Sequence, residues 1–166
     1  MGVGLRHVQL RRAANYAEFP GRNAAVDVIR VLNRQRRLAV DSPALATFAV
    51  SALSQCLKLR QRKLSVLKEL TEISVILVSD ARIAEIHKQF MNEPGSTDVI
   101  TFQHGDIVIS AETAKRQARQ FGTTVAHELR LYVVHGLLHL CGFDDKTAAG
   151  AAEMKRVQER IVRSLS

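Results

Sequence analysis

The sequence contains no tryptophan, two cysteines, and 5% aromatic residues among its 166 residues. Cys56 and Cys141 are too few for a disulfide framework, so a reducing cytoplasm is the expected setting. No apolar run approaches the ~20 residues that span a bilayer, and no membrane association is expected. The first 23 residues also lack the uninterrupted apolar segment of a secretory signal.

The chain carries a marked excess of positive charge. It has 24 Lys and Arg against 16 Asp and Glu, a formal net charge of +8. Such an excess favours a polyanionic partner, of which nucleic acid is the commonest, although it can also serve solubility alone. Residues 1–23 are predicted to form a basic, flexible arm. Residues 24–166 are long enough to bury a core and are predicted to form a single domain.

Apolar and β-branched stretches alternate with segments of helical period. Strands are predicted at residues 26–32, 73–78, 98–102 and 106–109. Helices are predicted to begin near Ser42, Asp80, Ser110, Thr124 and Thr147. Successive β-α-β units favour parallel pairing, and only the hairpin strand need run antiparallel. The expected fold class is α+β, with a small, mostly parallel, four-stranded sheet packed with about five helices.

The segment Thr124–Asp145, TVAHELRLYVVHGLLHLCGFDD, contains the strongest chemical signal. His135 and His139 are four residues apart, so on a helix they lie one turn apart on the same face. Gly142 permits a left-handed turn after the helix, and Asp145 follows. Two His and one carboxylate with an open position form a catalytic zinc set. A zincin-like metal helix with ligands His135, His139 and Asp145 is therefore expected.

Gly136 directly follows the first of these histidines. A zinc peptidase has a Glu there as its general base, so peptidase chemistry of that kind is disfavoured. A glycine inside a helix also costs roughly 1 kcal/mol relative to alanine. Its presence suggests that another part of the protein approaches the helix closely at this point.

Three motifs carry a resemblance to a known family. The segment HGLLHLCGFD at residues 135–144 resembles the signature H-G-x-L-H-L-x-G-[YF]-D-H of the YbeY family of metal-dependent endoribonucleases. STDVITF at residues 96–102 is similar to that family's P-T-D-V-L-S-F, and GDIVIS at residues 105–110 to its G-D-I-x-I-S. The resemblance covers about residues 26–165. It implies an rRNA maturation and ribosome quality-control factor that acts at the 3′ end of 16S rRNA.

Two positions depart from the family pattern. Asp145 stands where the family has a third histidine, and Met91 stands where it has an arginine. With zinc and one carboxylate the site would carry about one positive charge instead of two. Lys88, one turn before Met91, is a candidate to replace the missing cation at the RNA. The basic turn formed by Arg34, Arg36 and Arg37 is a second candidate for RNA binding.

The expected function combines these parts. One Zn²⁺ per chain would lower the pKa of a water molecule that attacks a phosphodiester bond in single-stranded RNA. The partners would be rRNA and the small ribosomal subunit, and few aromatic residues predict little base stacking. The first alternative is a non-catalytic ribosome- or rRNA-binding assembly factor with a degenerate metal site. A metallohydrolase of peptides or small molecules is the second.

Overall fold

A four-stranded sheet runs through the part of the chain that the structure describes, residues 28–60, 62–92 and 94–166 of a computed structural model. The predicted basic arm, residues 1–23, lies outside these residues. In chain order the elements are β1 (Val28–Asn33), α1 (Ser42–Lys58), β2 (Glu72–Val78), α2 (Asp80–Met91), β3 (Val99–Thr101), β4 (Asp106–Ser110), α3 (Ala111–Phe121), α4 (Val125–Leu140) and α5 (Ala148–Ser164). None of these helices is long and apolar enough to cross a bilayer.

The strand order in the sheet is β1-β2-β4-β3. The β1–β2 and β2–β4 pairs are parallel, and β3 runs antiparallel to β4 across a tight hairpin. Helical crossovers between the first strands explain the parallel pairing, whereas a short turn can only join antiparallel neighbours. The predicted α+β class, with a four-stranded mixed sheet and five helices, is confirmed.

Helices cover both faces of the sheet, which explains the apolar run at residues 75–78 in the second half of β2. Ile73, Val75 and Leu77 point into the main core, which α1, α4 and α5 also line. Val78 belongs to a smaller cluster on the other face, together with Ile83 of α2. Successive side chains of a strand point to opposite faces, so a strand between two helical layers needs apolar residues at every position.

The predicted helix starts agree with the structure to within one residue. Thr124 caps α4, Ser110 caps α3 and Thr147 caps α5, each through its hydroxyl. At α1 and α2 the capping side chain lies one position before the predicted start, Ser42 or Asp80. Asp41 accepts from Ala44 N at the start of α1, and Ser79 accepts from Arg82 N at the start of α2.

Helix α4 packs directly on β4 at Gly136. A Cβ atom built on Gly136 would lie 2.6 Å from Cγ2 of Ile107, closer than two carbon atoms can approach. The group that approaches the helix closely, as predicted, is therefore the side chain of Ile107 on β4. This contact keeps α4 close to the sheet. It explains why position 136 is a glycine, although a glycine lowers the intrinsic stability of a helix.

We expect Gly136→Ala to destabilise the fold by about 1–2 kcal/mol, because the overpacking cost exceeds the gain of about 1 kcal/mol in helix propensity. Urea denaturation measures the change. Ile107→Ala should cost about 2–5 kcal/mol alone. The double variant should lose less stability than the two single variants added together, because the new methyl group enters the space vacated by Ile107. Strict additivity would contradict the contact.

Candidate metal centre

His135 and His139 lie on the inner face of α4 and converge on one point. Their side chains are buried, and their Nε2 atoms are 2.9 Å apart. The carboxylate of Asp145 joins them: Oδ2 lies 3.8 Å from Nε2 of His135, and Oδ1 lies 4.0 Å from Nε2 of His139. The three side chains form a cluster that could hold a metal ion.

The turn after α4 brings Asp145 back to the histidines. Gly142 has φ of +84°, a conformation that favours glycine. A Cβ atom at this position would also lie 2.9 Å from the backbone nitrogen of Ser65. The backbone nitrogen of Phe143 bonds to the carbonyl of Leu138 at 3.0 Å. These constraints reverse the direction of the chain within a few residues after α4. The carboxylate of Asp145, which lies beyond the end of the helix in sequence, therefore reaches the two imidazoles.

Each imidazole uses its Nδ1 atom for a hydrogen bond within the protein, and its Nε2 atom faces the centre. Nδ1 of His139 lies 3.1 Å from the carbonyl oxygen of Phe143, which can only accept a hydrogen bond. Nδ1 of His135 lies 3.1 Å from Oε1 of Gln158. Both Nδ1 atoms therefore carry the proton when the rings are neutral, and both Nε2 lone pairs point to the same place. Two lone pairs and a carboxylate around one point favour a cation between them.

The spacing of these ligand atoms fits a small divalent ion. Zinc–ligand bonds of about 2.1 Å at a tetrahedral angle place two ligand atoms about 3.4 Å apart. The three distances between groups at this site, 2.9, 3.8 and 4.0 Å, lie on both sides of that value. Small side-chain adjustments would therefore suffice for coordination. The donor set of two imidazoles and one carboxylate fits zinc and related transition metals.

A cleft with a volume of about 1120 Å³ opens onto this centre. His135 and Asp145 line it from the metal side, and Gln158 of α5 lies beside them. Other polar side chains in its wall are Thr97, Asp98, Arg116, Glu128 and Tyr132. The cleft gives a substrate access to the metal centre while the histidines themselves stay buried.

Burial changes the pKa values of groups around the cleft. It lowers the pKa of His139 to about 4, so this ring is neutral and able to bind metal at neutral pH. Burial raises the pKa of Asp98, and the negative charge of Asp145 adds to the effect. Burial also raises the pKa of Tyr132, with Asp98 and Glu128 adding to it, so the phenol keeps its proton.

The residues predicted for RNA binding lie elsewhere. Arg34, Arg36 and Arg37 are exposed beyond the end of β1, and Lys88 is exposed on α2. None of the four lines the cleft. Their role in RNA binding stays a prediction.

Three residues of the site carried weak or no signal in the sequence. Gln158 orients His135 from a helix that begins after the motif, and no sequence pattern marks it. Tyr132 is three residues before His135, so its helical face could have identified it. Glu128 shares that face and is buried, where it accepts a hydrogen bond from the hydroxyl of Thr123.

Comparison with known proteins gives a consistent result. A sequence model described as Endoribonuclease YbeY matches residues 30–166. Endoribonuclease YbeY of Nautilia profundicola is 42% identical over 103 residues, which cover 57% of this chain and 73% of that protein. Endoribonuclease YBEY, chloroplastic, of Arabidopsis thaliana is 35% identical over 155 residues, which cover 84% of this chain and 26% of that protein.

A solved structure has a similar fold. The solution structure of TM1509 from Thermotoga maritima aligns with a TM-score of 0.56 and 29% sequence identity. The alignment covers 82% of this chain and 88% of that one. The likeness therefore extends over the sheet and the helices around it.

Substitutions at Asp145 should test whether its carboxylate completes the metal centre. We expect wild-type protein to bind one Zn²⁺ per chain in a competition titration. Asp145→Ala should weaken the affinity by more than the roughly 100-fold that loss of an outer-shell partner can cost, because a charged ligand itself is lost. Asp145→His should keep stoichiometric binding. Asp144→Ala is the matched control, since the side chain of Asp144 caps the backbone of Lys146 instead. Equal losses in both alanine variants would contradict the assignment.

The stability of the metal-free protein should depend on His139. The pKa of this ring falls from 6.5 in the unfolded chain to about 4 in the folded one. Between pH 6.5 and about 4 the ring of His139 is protonated in the unfolded chain and neutral in the folded one. The folded state is therefore fully stable above pH 6.5 and loses stability as the pH falls towards 4. The expected loss is roughly 3 kcal/mol. Urea denaturation from pH 7 to 4 in chelator measures it, and His139→Gln should flatten the slope. An unchanged slope in that variant would contradict the assignment.

Proposed function

The chain belongs to the endoribonuclease YbeY family, and on that premise we propose that it is a zinc-dependent endoribonuclease that cuts single-stranded RNA. Membership of the family makes it a nuclease. The single observation that supports metal dependence best is the convergence of His135, His139 and Asp145 on one point. The same convergence argues against a degenerate site, because the carboxylate of Asp145 lies where a third metal ligand is needed.

His135, His139 and Asp145 would hold the metal, which when bound lowers the pKa of water and polarises a phosphoryl oxygen. Gln158 and the carbonyl of Phe143 keep the two imidazoles in the tautomer that this requires. The carboxylate of Asp145 offsets part of the cation's charge in a buried setting. Burial keeps His139 neutral and therefore available as a ligand at neutral pH.

Groups in the wall of the cleft suit a phosphodiester substrate. The cations that line the cleft are Arg116 of α3 and Lys155 and Arg163 of α5. The guanidinium of Arg116 is held in place by Asp80 and Thr113, and the positive charge of the wall attracts phosphates. Tyr132 retains its phenolic proton, and its hydroxyl makes no hydrogen bond to the described part of the protein.

The proposed substrate is rRNA, with processing of the 3′ end of 16S rRNA and ribosome quality control as the biological role. The net charge of +8 supports contact with a polyanion such as the small ribosomal subunit. A cytoplasmic location agrees with the presence of two cysteines only, Cys56 and Cys141, both of which are buried. Gly136, packed on Ile107, leaves no general base beside His135, which disfavours peptide hydrolysis.

Purified protein should cut a labelled single-stranded RNA when loaded with zinc and lose this activity in a chelator. We expect His135→Ala to lower the rate at least ~100-fold, since the loss of a ligand removes the bound metal. His104→Ala is the matched control, because His104 is exposed on the β3–β4 hairpin and belongs neither to the cleft wall nor to the ligand cluster. Gel analysis of the products measures the rate. RNA that is cut equally well by the chelated protein or by His135→Ala would refute metal dependence.

A further inference from the structure

A second cavity, lined in part by Phe143 of the turn after α4, is strongly basic. It has a volume of about 690 Å³. Its wall includes the cationic side chains Arg60, Arg62, Lys63, Arg156 and Arg160, together with the ring of Phe143. We call this cavity the basic groove. The first three cations follow α1, whereas the last two lie on α5, so the fold brings together two basic clusters that are almost 100 residues apart in sequence.

The charge of the basic groove is poorly balanced by its own walls. Glu153 is the one carboxylate among the lining residues, and it pairs with Arg62. The other cations converge on a shared space of positive potential. Like charges that line a concave surface repel one another and attract a polyanion, whose binding releases counterions. A solvated surface would spread these cations apart instead of gathering them around a cavity.

Arg62 is fixed in the wall of the groove by a stacking contact and an ion pair. Its guanidinium carbon lies 4.1 Å from the centroid of the Phe143 ring, a cation–π arrangement. The carboxylate of Glu153 accepts a hydrogen bond from the same guanidinium, so the unbalanced charge of the groove comes from the other four cations. Phe143 belongs to the turn that returns Asp145 to the histidines, so the groove and the metal centre share one structural support.

Backbone hydrogen bonds connect the basic loop to the end of the metal helix. The amide of Arg62 donates to the carbonyl of Cys141 at 3.3 Å, and the amide of Val66 donates to the carbonyl of Leu140 at 2.9 Å. The carbonyl of Phe143 in turn accepts from His139. The basic groove is therefore built onto the metal centre and keeps a defined position relative to it.

Helix α5 separates the basic groove from the catalytic cleft. Arg156 and Arg160 are four residues apart and line the groove, while Lys155 and Gln158 on the adjoining flank line the cleft. An α-helix with its side chains is about 10–12 Å wide. A polymer with phosphates at regular intervals can cross this distance and contact both cavities, whereas a mononucleotide cannot.

We propose that the basic groove binds phosphates of the same RNA strand that enters the cleft, on one side of the cleavage position. This inference rests on the proposed function, because that function supplies the RNA. RNA suits the groove better than an acidic protein segment does, since α5 lines both the groove and the catalytic cleft and one RNA strand can reach both. The groove would then anchor the strand and hold the scissile bond at the metal centre.

Binding of a fluorescein-labelled single-stranded RNA, long enough to reach both cavities, tests the proposal. Fluorescence anisotropy is measured on the full chain in chelator, so that no cleavage intervenes. We expect the double variant R156E/R160E to lose at least ~10-fold in affinity and to reduce the salt slope by about 1.4, as expected for two single-strand phosphate contacts. The matched control is R82E/R119E, which makes the same charge change at exposed arginines outside both cavities.

The outcomes separate this inference from the proposed function. Equal losses in the two double variants would overturn the inference, because net charge alone would then explain binding. A groove variant that loses binding to a labelled poly-glutamate peptide, while keeping its affinity for RNA, would overturn it in favour of a protein ligand. A smaller variant, Arg160→Gln, guards against misfolding and should weaken binding with an unchanged thermal transition. If zinc-loaded wild-type protein binds RNA through the groove without cutting it, the proposed function fails and the groove assignment stands.

Discussion

The structure depends on the pair of hydrogen bonds that orient the two histidines of α4. Phe143 O and Gln158 Oε1 each lie 3.1 Å from an Nδ1 atom, and this leaves both Nε2 lone pairs facing one point. One of the two acceptors comes from the turn after the helix and the other from α5. The ligand cluster is therefore defined by three segments at once, and each of them must fold for the site to form. Imidazoles that were free to rotate would pay an entropic cost on every binding event.

The packing of α4 on the sheet supplies the rigidity that such a site needs. Gly136 allows Ile107 of β4 to approach the helix backbone directly beside His135. A larger residue would push the helix outward and shift both ligands together. The intrinsic weakness of a helical glycine is offset by the surrounding core, in which Val133, Val134 and Leu137 are completely buried. Gly136 therefore lowers the local stability of the helix but allows the packing that positions both histidines.

Electrostatics divides the molecule into a buried centre that lacks Lys and Arg and basic surfaces around it. Burial lowers the pKa of His139 to about 4, so the centre gains no positive charge of its own near neutral pH, and Asp145 contributes a negative one. The cations are displaced to the cleft wall and to the basic groove. This arrangement attracts a polyanion without placing ammonium or guanidinium groups where they would repel a bound metal ion.

The sequence alone determined the α+β class, the boundaries of most elements, the triad His135, His139 and Asp145, and the close approach at Gly136. These features depend on local spacing, periodicity and capping, which the chain expresses without reference to distant segments. Only the tertiary structure decided that Gln158 orients His135, that Ile107 is the neighbour of Gly136, and that Arg62 and Arg160 line one cavity. It also decided that Lys88 and Arg34 lie away from the cleft. Each of these facts is a juxtaposition of segments far apart in sequence, and it arises from how helices pack on a sheet, which no local pattern encodes.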